Sequence, residues 1–146
     1  MTFVLARGLV TVFAVISLVH VYWALGGQWA AAAVVPHVPV AEGAATLRPA
    51  FKPSGWLTLL VAAALLSVAA LVCLRVGWWL PTVQHWSLQW VISAIALLMF
   101  ARAIGDSELV GFFKEVKASR FAWLDTWFYS PLCTVLGAGL LAVAWV

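Results

Sequence analysis

Ser54-Gly-Trp56-Leu-Thr-Leu-Leu-Val-Ala-Ala-Ala-Leu-Leu-Ser67-Val-Ala-Ala-Leu-Val-Cys73-Leu-Arg75-Val-Gly-Trp78-Trp79-Leu80-Pro81-Thr-Val-Gln-His85-Trp86 decides what kind of chain this is. Between Gly55 and Leu80 it carries a single charge, Arg75, near the far end. A helix over residues 55–80, capped by Ser54, rises about 1.5 Å per residue and outreaches a hydrocarbon layer of about 30 Å, so a tilted membrane span is expected. Pro81 opens a turn that closes at His85, and apolar sequence resumes at Trp86. Two spans joined by so short a turn are antiparallel neighbours.

The rest of the chain agrees with this reading. Its 146 residues are 66% hydrophobic and 9% charged, with a mean hydropathy of +1.08, far from the composition of a soluble domain. The expected fold is all-α: a polytopic membrane protein with four transmembrane helices in an antiparallel bundle. It forms one domain over residues 1–146, with spans near 3–25, 55–80, 86–104 and 127–146. The first run, Phe3 to Leu25, is interrupted by Arg7, Thr11, Ser17 and His20. A basic residue before an apolar run, followed by small residues at Ala30 to Ala32, also suits a secretory signal; the reading adopted is a retained helix. Four prolines, Pro36, Pro39, Pro49 and Pro53, make the following segment a loop, with a short interfacial helix expected over Trp29 to Val35. This loop also carries His37, Glu42, Arg48 and Lys52.

Loops one and three hold Arg48, Lys52, Arg102, Lys114, Lys117 and Arg120, against Arg7 and Arg75 on the other side. That asymmetry favours loops one and three in the cytoplasm. The ten tryptophans fall into two belts, one with Trp23, Trp56 and Trp123 and one with Trp78, Trp86 and Trp145. A net charge of +3 then serves topology and contact with membrane lipids, and nucleic acid is not an expected partner.

Chemistry concentrates in Arg102-Ala-Ile-Gly-Asp106-Ser-Glu108-Leu-Val-Gly-Phe-Phe-Lys114-Glu-Val-Lys117-Ala-Ser-Arg120-Phe-Ala-Trp-Leu-Asp125-Thr-Trp-Phe-Tyr129-Ser130-Pro131-Leu-Cys133, which holds four of the five acidic residues and four of the eight basic ones. Arg102 and Asp106 are spaced to pair on one helix face. Asp125, Tyr129 and Cys133 recur at four-residue spacing, a polar stripe that should face the bundle interior because lipid offers it no partners. Pro131 either opens span four behind a Ser130 cap or kinks a helix begun near Trp123. The segment Phe112 to Phe121 alternates aromatic and basic residues, as a segment lying in the headgroup layer does. His20 is the one histidine within a span, beside Tyr22 and Trp23. An ionisable group there suggests function, although a plain hydrogen bond to a neighbouring helix explains it as simply.

Several classes lose their support. There is no GxGxxG, no Walker loop, no HExxH, no paired cysteines and no DxxD cluster. No carboxylate lies mid-span, which argues against an antiporter built on one. Haem needs a second axial ligand at the depth of His20, and His85 and His37 are not there. No cofactor and no metal are expected.

His20-Val-Tyr-Trp-Ala-Leu-Gly-Gly, Arg102-Ala-Ile-Gly-Asp106 with Val110-Gly-Phe-Phe-Lys114, and Arg120-Phe-Ala-Trp-Leu-Asp125-Thr-Trp-Phe-Tyr129-Ser-Pro-Leu-Cys133 together resemble a family of small bacterial four-helix membrane proteins catalogued as a domain of unknown function. The likeness covers nearly the whole chain and implies the fold and a bacterial inner-membrane location, with no activity or site residue. From the residues themselves, the expectation is a protein that binds a lipid or isoprenoid-like amphipathic ligand in an interfacial pocket. His20, Asp125 and Tyr129 are the candidates for acid–base chemistry, and Tyr22, Trp23, Arg102, Asp106, Lys114 and Arg120 line the ligand. The alternative is a non-catalytic transport or accessory subunit acting as a homo-oligomer, with Gly137, Gly139 and the alanine-rich face of span two as contacts.

Overall fold

The computed structural model describes residues 2–40, 46–82, 85–106 and 108–146; Glu42 lies outside them. Among the described residues, four helices are long and apolar enough to cross a membrane: Thr2–Ala24, Gly55–Arg75, Trp86–Ile104 and Arg120–Ala144. They are α1 (Thr2–Ala24), α3 (Gly55–Arg75), α4 (Trp86–Ile104) and a composite of α5 (Arg120–Leu124), a π-helical turn (Asp125–Tyr129) and α6 (Ser130–Ala144). Between α1 and α3 lie the short helix α2 (Ala31–Val34) and a two-stranded antiparallel hairpin, β1 (His37–Pro39) and β2 (Leu47–Pro49), with Val38 opposite Arg48.

The caps explain the boundaries. Ser54 Oγ accepts from the Leu57 N–H at 3.2 Å to open α3, and Ser119 Oγ accepts from the Ala122 N–H at 3.0 Å to open α5. α3 ends at Arg75 rather than Leu80, because Gly77 takes φ +74° and the Trp78 N–H turns back to the Cys73 carbonyl. The fourth span begins at Arg120, ahead of the expected Trp127, and passes through Pro131 without breaking. Pro131 brings no N–H and a ring that crowds the preceding turn. The π turn just before it widens the helix there, with the Ser130 N–H bonded to the Asp125 carbonyl.

α1 packs chiefly on α3 and α4 chiefly on α6, and the two pairs meet where α1 touches α6. Small residues set these contacts, as close helix packing in lipid requires. A Cβ at Gly137 would stand 3.0 Å from the Phe100 ring and 3.1 Å from the Ala96 carbonyl oxygen, and one at Gly139 would stand 3.0 Å from Leu9. Both glycines therefore lie inside the bundle and are not free for contact with a second copy. Ser17 Oγ donates to the Ala62 carbonyl at 2.8 Å, fastening α1 to α3. The apolar core (Leu9, Phe13, Val72, Ile92, Leu140 and Val143 among it) draws on the early part of α1 and α4 and the late part of α3 and α6. It thus fills the half of the bundle nearer the α3–α4 turn. The outward residues, including Val4, Trp56, Leu66, Trp90 and Leu97, are apolar and exposed, as lipid-facing positions are. The other half of the bundle, toward loops one and three, is closed by polar groups.

Candidate functional site

The polar half is built on Asp125, which has no exposed surface. Its Oδ1 accepts from Arg102 Nη2 at 2.7 Å. Its Oδ2 accepts from the Gly111 N–H at 2.6 Å and from Lys114 Nζ at 3.1 Å. Lys114 is only 2% exposed, and its three donors are taken by Asp125 Oδ2, the Gly111 carbonyl at 2.8 Å and Thr126 Oγ1 at 2.7 Å. One carboxylate thus ties α4, loop three and the fourth span together. Charged groups buried this deeply are tolerated when paired and hydrogen-bonded.

Loop three is shaped to deliver these partners. α4 stops at Gly105, with φ +78°, and the chain returns at Gly111, with φ +92°. Each glycine lies against the other's backbone: a Cβ on Gly105 would collide with the Val110 carbonyl, and one on Gly111 with the Ile104 carbonyl. The Phe112 N–H bonds to the Ala103 carbonyl at 3.0 Å, which closes the loop. Asp106 Oδ1 organises the tip by accepting from the N–H groups of Glu108, Leu109 and Val110 at 3.0, 2.7 and 3.0 Å. These bonds, Leu109's first, hold the Asp106 carboxyl below the usual carboxylate range.

Two expectations are corrected here. Arg102 pairs with Asp125, not with Asp106, since Gly105 ends the helix before a four-residue pair can form. Lys114 turns into the bundle instead of lying against headgroups, whereas Lys117 and Arg120 of the same segment are exposed.

The groups at the end of α1 form a separate constellation. His20 Nδ1 donates to the Ile16 carbonyl of its own helix at 2.8 Å, and its ring meets Trp23 edge-on with centroids 5.2 Å apart. Trp23 Nε1 donates to the Trp29 carbonyl at 2.8 Å, and the Trp29 N–H lies 3.4 Å from the Tyr22 hydroxyl oxygen. Trp29 is thereby folded back over α1, and with Val15, Leu18, Val19 and Tyr22 it forms an open, largely apolar groove of about 520 Å³. Tyr129, half-buried, donates from its hydroxyl to the Ala33 carbonyl at 3.3 Å, joining the fourth span to α2. α2 also packs on α5, whose first residue is Arg120.

Helix register relates the two constellations. α1 and α6 run antiparallel with Leu9 against Gly139. At about 1.5 Å per residue, His20 lies about 16 Å beyond that contact and Tyr129 about 15 Å, so both stand at one depth. The structure therefore brings Arg102, Lys114, Asp125 and Tyr129 into one end of the bundle, with His20, Tyr22 and Trp23 at a similar level. Asp106 and Arg120 lie at its edge. Sequence reasoning did not single out Gly111 and Thr126. The Gly105 and Gly111 pair, six residues apart around a charged turn, was the signal that could have found the first.

A family model described as "Protein of unknown function (DUF3995)" matches residues 13–140, and the chain belongs to that family. Comparison with curated proteins and with solved structures gave no match.

Proposed function

We propose that this member of the DUF3995 family is a multi-pass protein of the bacterial inner membrane that binds a lipid-like amphiphile at the interface beside loops one and three. Those loops face the cytoplasm in this reading, which is supported by their six Lys and Arg residues against two on the other side. The observation that carries the binding reading is the groove along Val15, Leu18, Val19 and Tyr22 under Trp29. Its volume of about 520 Å³ is within the range of about 300–1,000 Å³ common for small-molecule sites. Its walls suit an acyl or isoprenoid chain. The Tyr22 hydroxyl, at the loop-one end of these walls, suits a head at the membrane surface.

Asp125 in this reading holds loop three and α4 to the fourth span and takes no part in proton transfer, because both of its oxygens are held by cations and a backbone N–H. Lys114 leaves the set of head-binding residues for a similar reason: all three of its donors are engaged. Native mass spectrometry of protein released from lipid nanodiscs tests the proposal. The wild type should carry a bound amphiphile that Leu18→Trp, which fills the groove, loses, while Leu66→Trp on the outer face of α3 keeps it. Equal retention by all three proteins would overturn it.

A further inference from the structure

We propose a second binding site, independent of the groove, in which Arg102 and Ser130 hold an oxyanion between α4 and the start of α6. The shared chemistry is that of a phosphate or carboxylate, carried by an anionic lipid headgroup or by a free small anion.

Three observations converge on it. The first is charge: the buried cluster contains two cations, Arg102 and Lys114, and one carboxylate, Asp125. Asp106 acts on Arg102 only through space, without a bond between them, so Arg102 keeps a donor that no carboxylate meets, whereas Lys114 has no donor to spare. The second is an unmet donor. Arg102 Nη2 is bonded to Asp125, while Nη1 is buried and has no hydrogen-bond partner among the described residues. The third is Ser130, which has no exposed surface and whose Oγ also lacks a partner. A serine in a helix ordinarily bonds back to the preceding turn, as Thr134 does to the Ser130 carbonyl.

The two unmet groups stand at the same depth in the bundle. Ser130 lies one π turn after Asp125, so the two share a face of the fourth span. α4 and α6 run antiparallel with Ala96 against Gly137. From that contact Arg102 lies about 9 Å along α4 and Ser130 about 10 Å along α6, at about 1.5 Å per residue. A buried charged donor without an acceptor is costly, and an acceptor lying between Arg102 Nη1 and the Ser130 hydroxyl would serve both. An oxyanion does so with charge-assisted bonds, whereas a neutral acceptor makes weaker ones. About a third of the Arg102 side chain, 34%, is exposed, so this residue reaches the outside of the bundle.

The test titrates full-length protein in zwitterionic nanodiscs with phosphatidic acid, its neutral counterpart diacylglycerol, and inorganic phosphate, for the wild type, Ser130→Ala and Arg102→Lys. Wild type should take phosphatidic acid over diacylglycerol. Ser130→Ala should weaken that binding about tenfold, the loss of one charge-assisted hydrogen bond. Its ligand-free stability should be unchanged or raised, because an unmet hydroxyl is gone. Arg102→Lys, which can keep one bond to Asp125 but loses Nη1, should weaken it at least as much. If Arg102→Lys does not fold, Ser130→Ala still decides. Saturable binding of inorganic phosphate that Ser130→Ala weakens also supports the site and identifies a free anion as the source, while response to phosphatidic acid alone identifies a headgroup. Equal uptake of the anionic and neutral lipids without phosphate binding, or binding to Ser130→Ala at wild-type strength, would overturn the proposal and leave a resident water as the shared partner. Neither result bears on the groove, which Leu18→Trp tests separately.

Discussion

Replacing Asp125 by asparagine should be the most damaging polar substitution in the chain. Asparagine keeps one oxygen. If that oxygen faces Arg102, the amide NH2 is turned toward the Gly111 N–H and Lys114 Nζ, which now stand 2.6 and 3.1 Å from an acceptor. Donors then meet donors, and two cations lie in the bundle without a counter-charge. Removing one partner of a buried pair costs about 3–5 kcal/mol. Arg102, partly exposed, recovers some of its share through headgroups and water, so a loss of about 3 kcal/mol is expected. Lys114→Met removes a cation instead. Asp125 still has Arg102 and the Gly111 N–H, and a flexible apolar side chain fills the space, so this change should cost about 1 kcal/mol or less. Combining the two should cost less than the sum, with a coupling of about 1–3 kcal/mol. Reversible SDS-induced unfolding in mixed micelles, followed by tryptophan fluorescence, measures all three. The reasoning is refuted if Asp125→Asn costs under about 1 kcal/mol, or if Lys114→Met costs as much as it.

Three further outcomes follow from the geometry. Gly111→Ala places a Cβ against the Ile104 carbonyl at a positive φ and should cost at least about 2 kcal/mol, with protease cleavage in loop three that the wild type resists; a wild-type cleavage pattern contradicts this. Ser17→Ala removes the bond to Ala62 between α1 and α3 and should cost only about 0.6 kcal/mol, the usual size of an interhelical hydrogen bond in a membrane; a loss above about 2 kcal/mol would mean that this bond organises more than one helix pair. Asp106 has its carboxyl held below the ordinary range. Its hold on the loop is therefore complete above the ordinary aspartate value of about 3.9 and is lost as pH falls through the lower folded-state value. The Leu109 and Val110 amide NMR signals should titrate with a midpoint below about 3.9, and Asp106→Asn should abolish that step; a midpoint above that value contradicts the turn described.

Spans one and three were legible almost to the residue, because Gly26 and Gly105 stop them and His85 starts the third. Span two was read too long, since Trp78, Trp79 and Leu80 continue the apolar run after Gly77 has turned the chain. Span four was read too short for the opposite reason. Arg120 and Asp125 break its hydropathy, yet Asp125 can lie inside the helix bundle because Arg102 and Lys114 neutralise it there. That neutralisation joins residues 102 and 125 across a loop, and no local spacing announces it. The four-residue separation of Arg102 and Asp106 did announce a pair, and Gly105 cancelled it by taking the left-handed turn that only glycine adopts readily. The polar stripe from Asp125 was legible in direction, and its partners were not. Gly111 contributes a backbone N–H and Lys114 an ammonium, both brought to Asp125 by a loop whose path exists only once Gly105 and Gly111 lie against each other.

Photocrosslinking with an amphiphile that carries a diazirine near the middle of its chain, followed by mapping of the labelled peptides from protein in nanodiscs, addresses the central claim most directly. A ligand bound in the groove should label Val15, Leu18, Val19 and Tyr22 in preference to the outer faces of α3 and α4, and excess unlabelled amphiphile should suppress that labelling. Labelling spread evenly over Leu18, Leu66 and Leu97 and insensitive to competitor would contradict it, and would reduce the groove to ordinary lipid-facing surface.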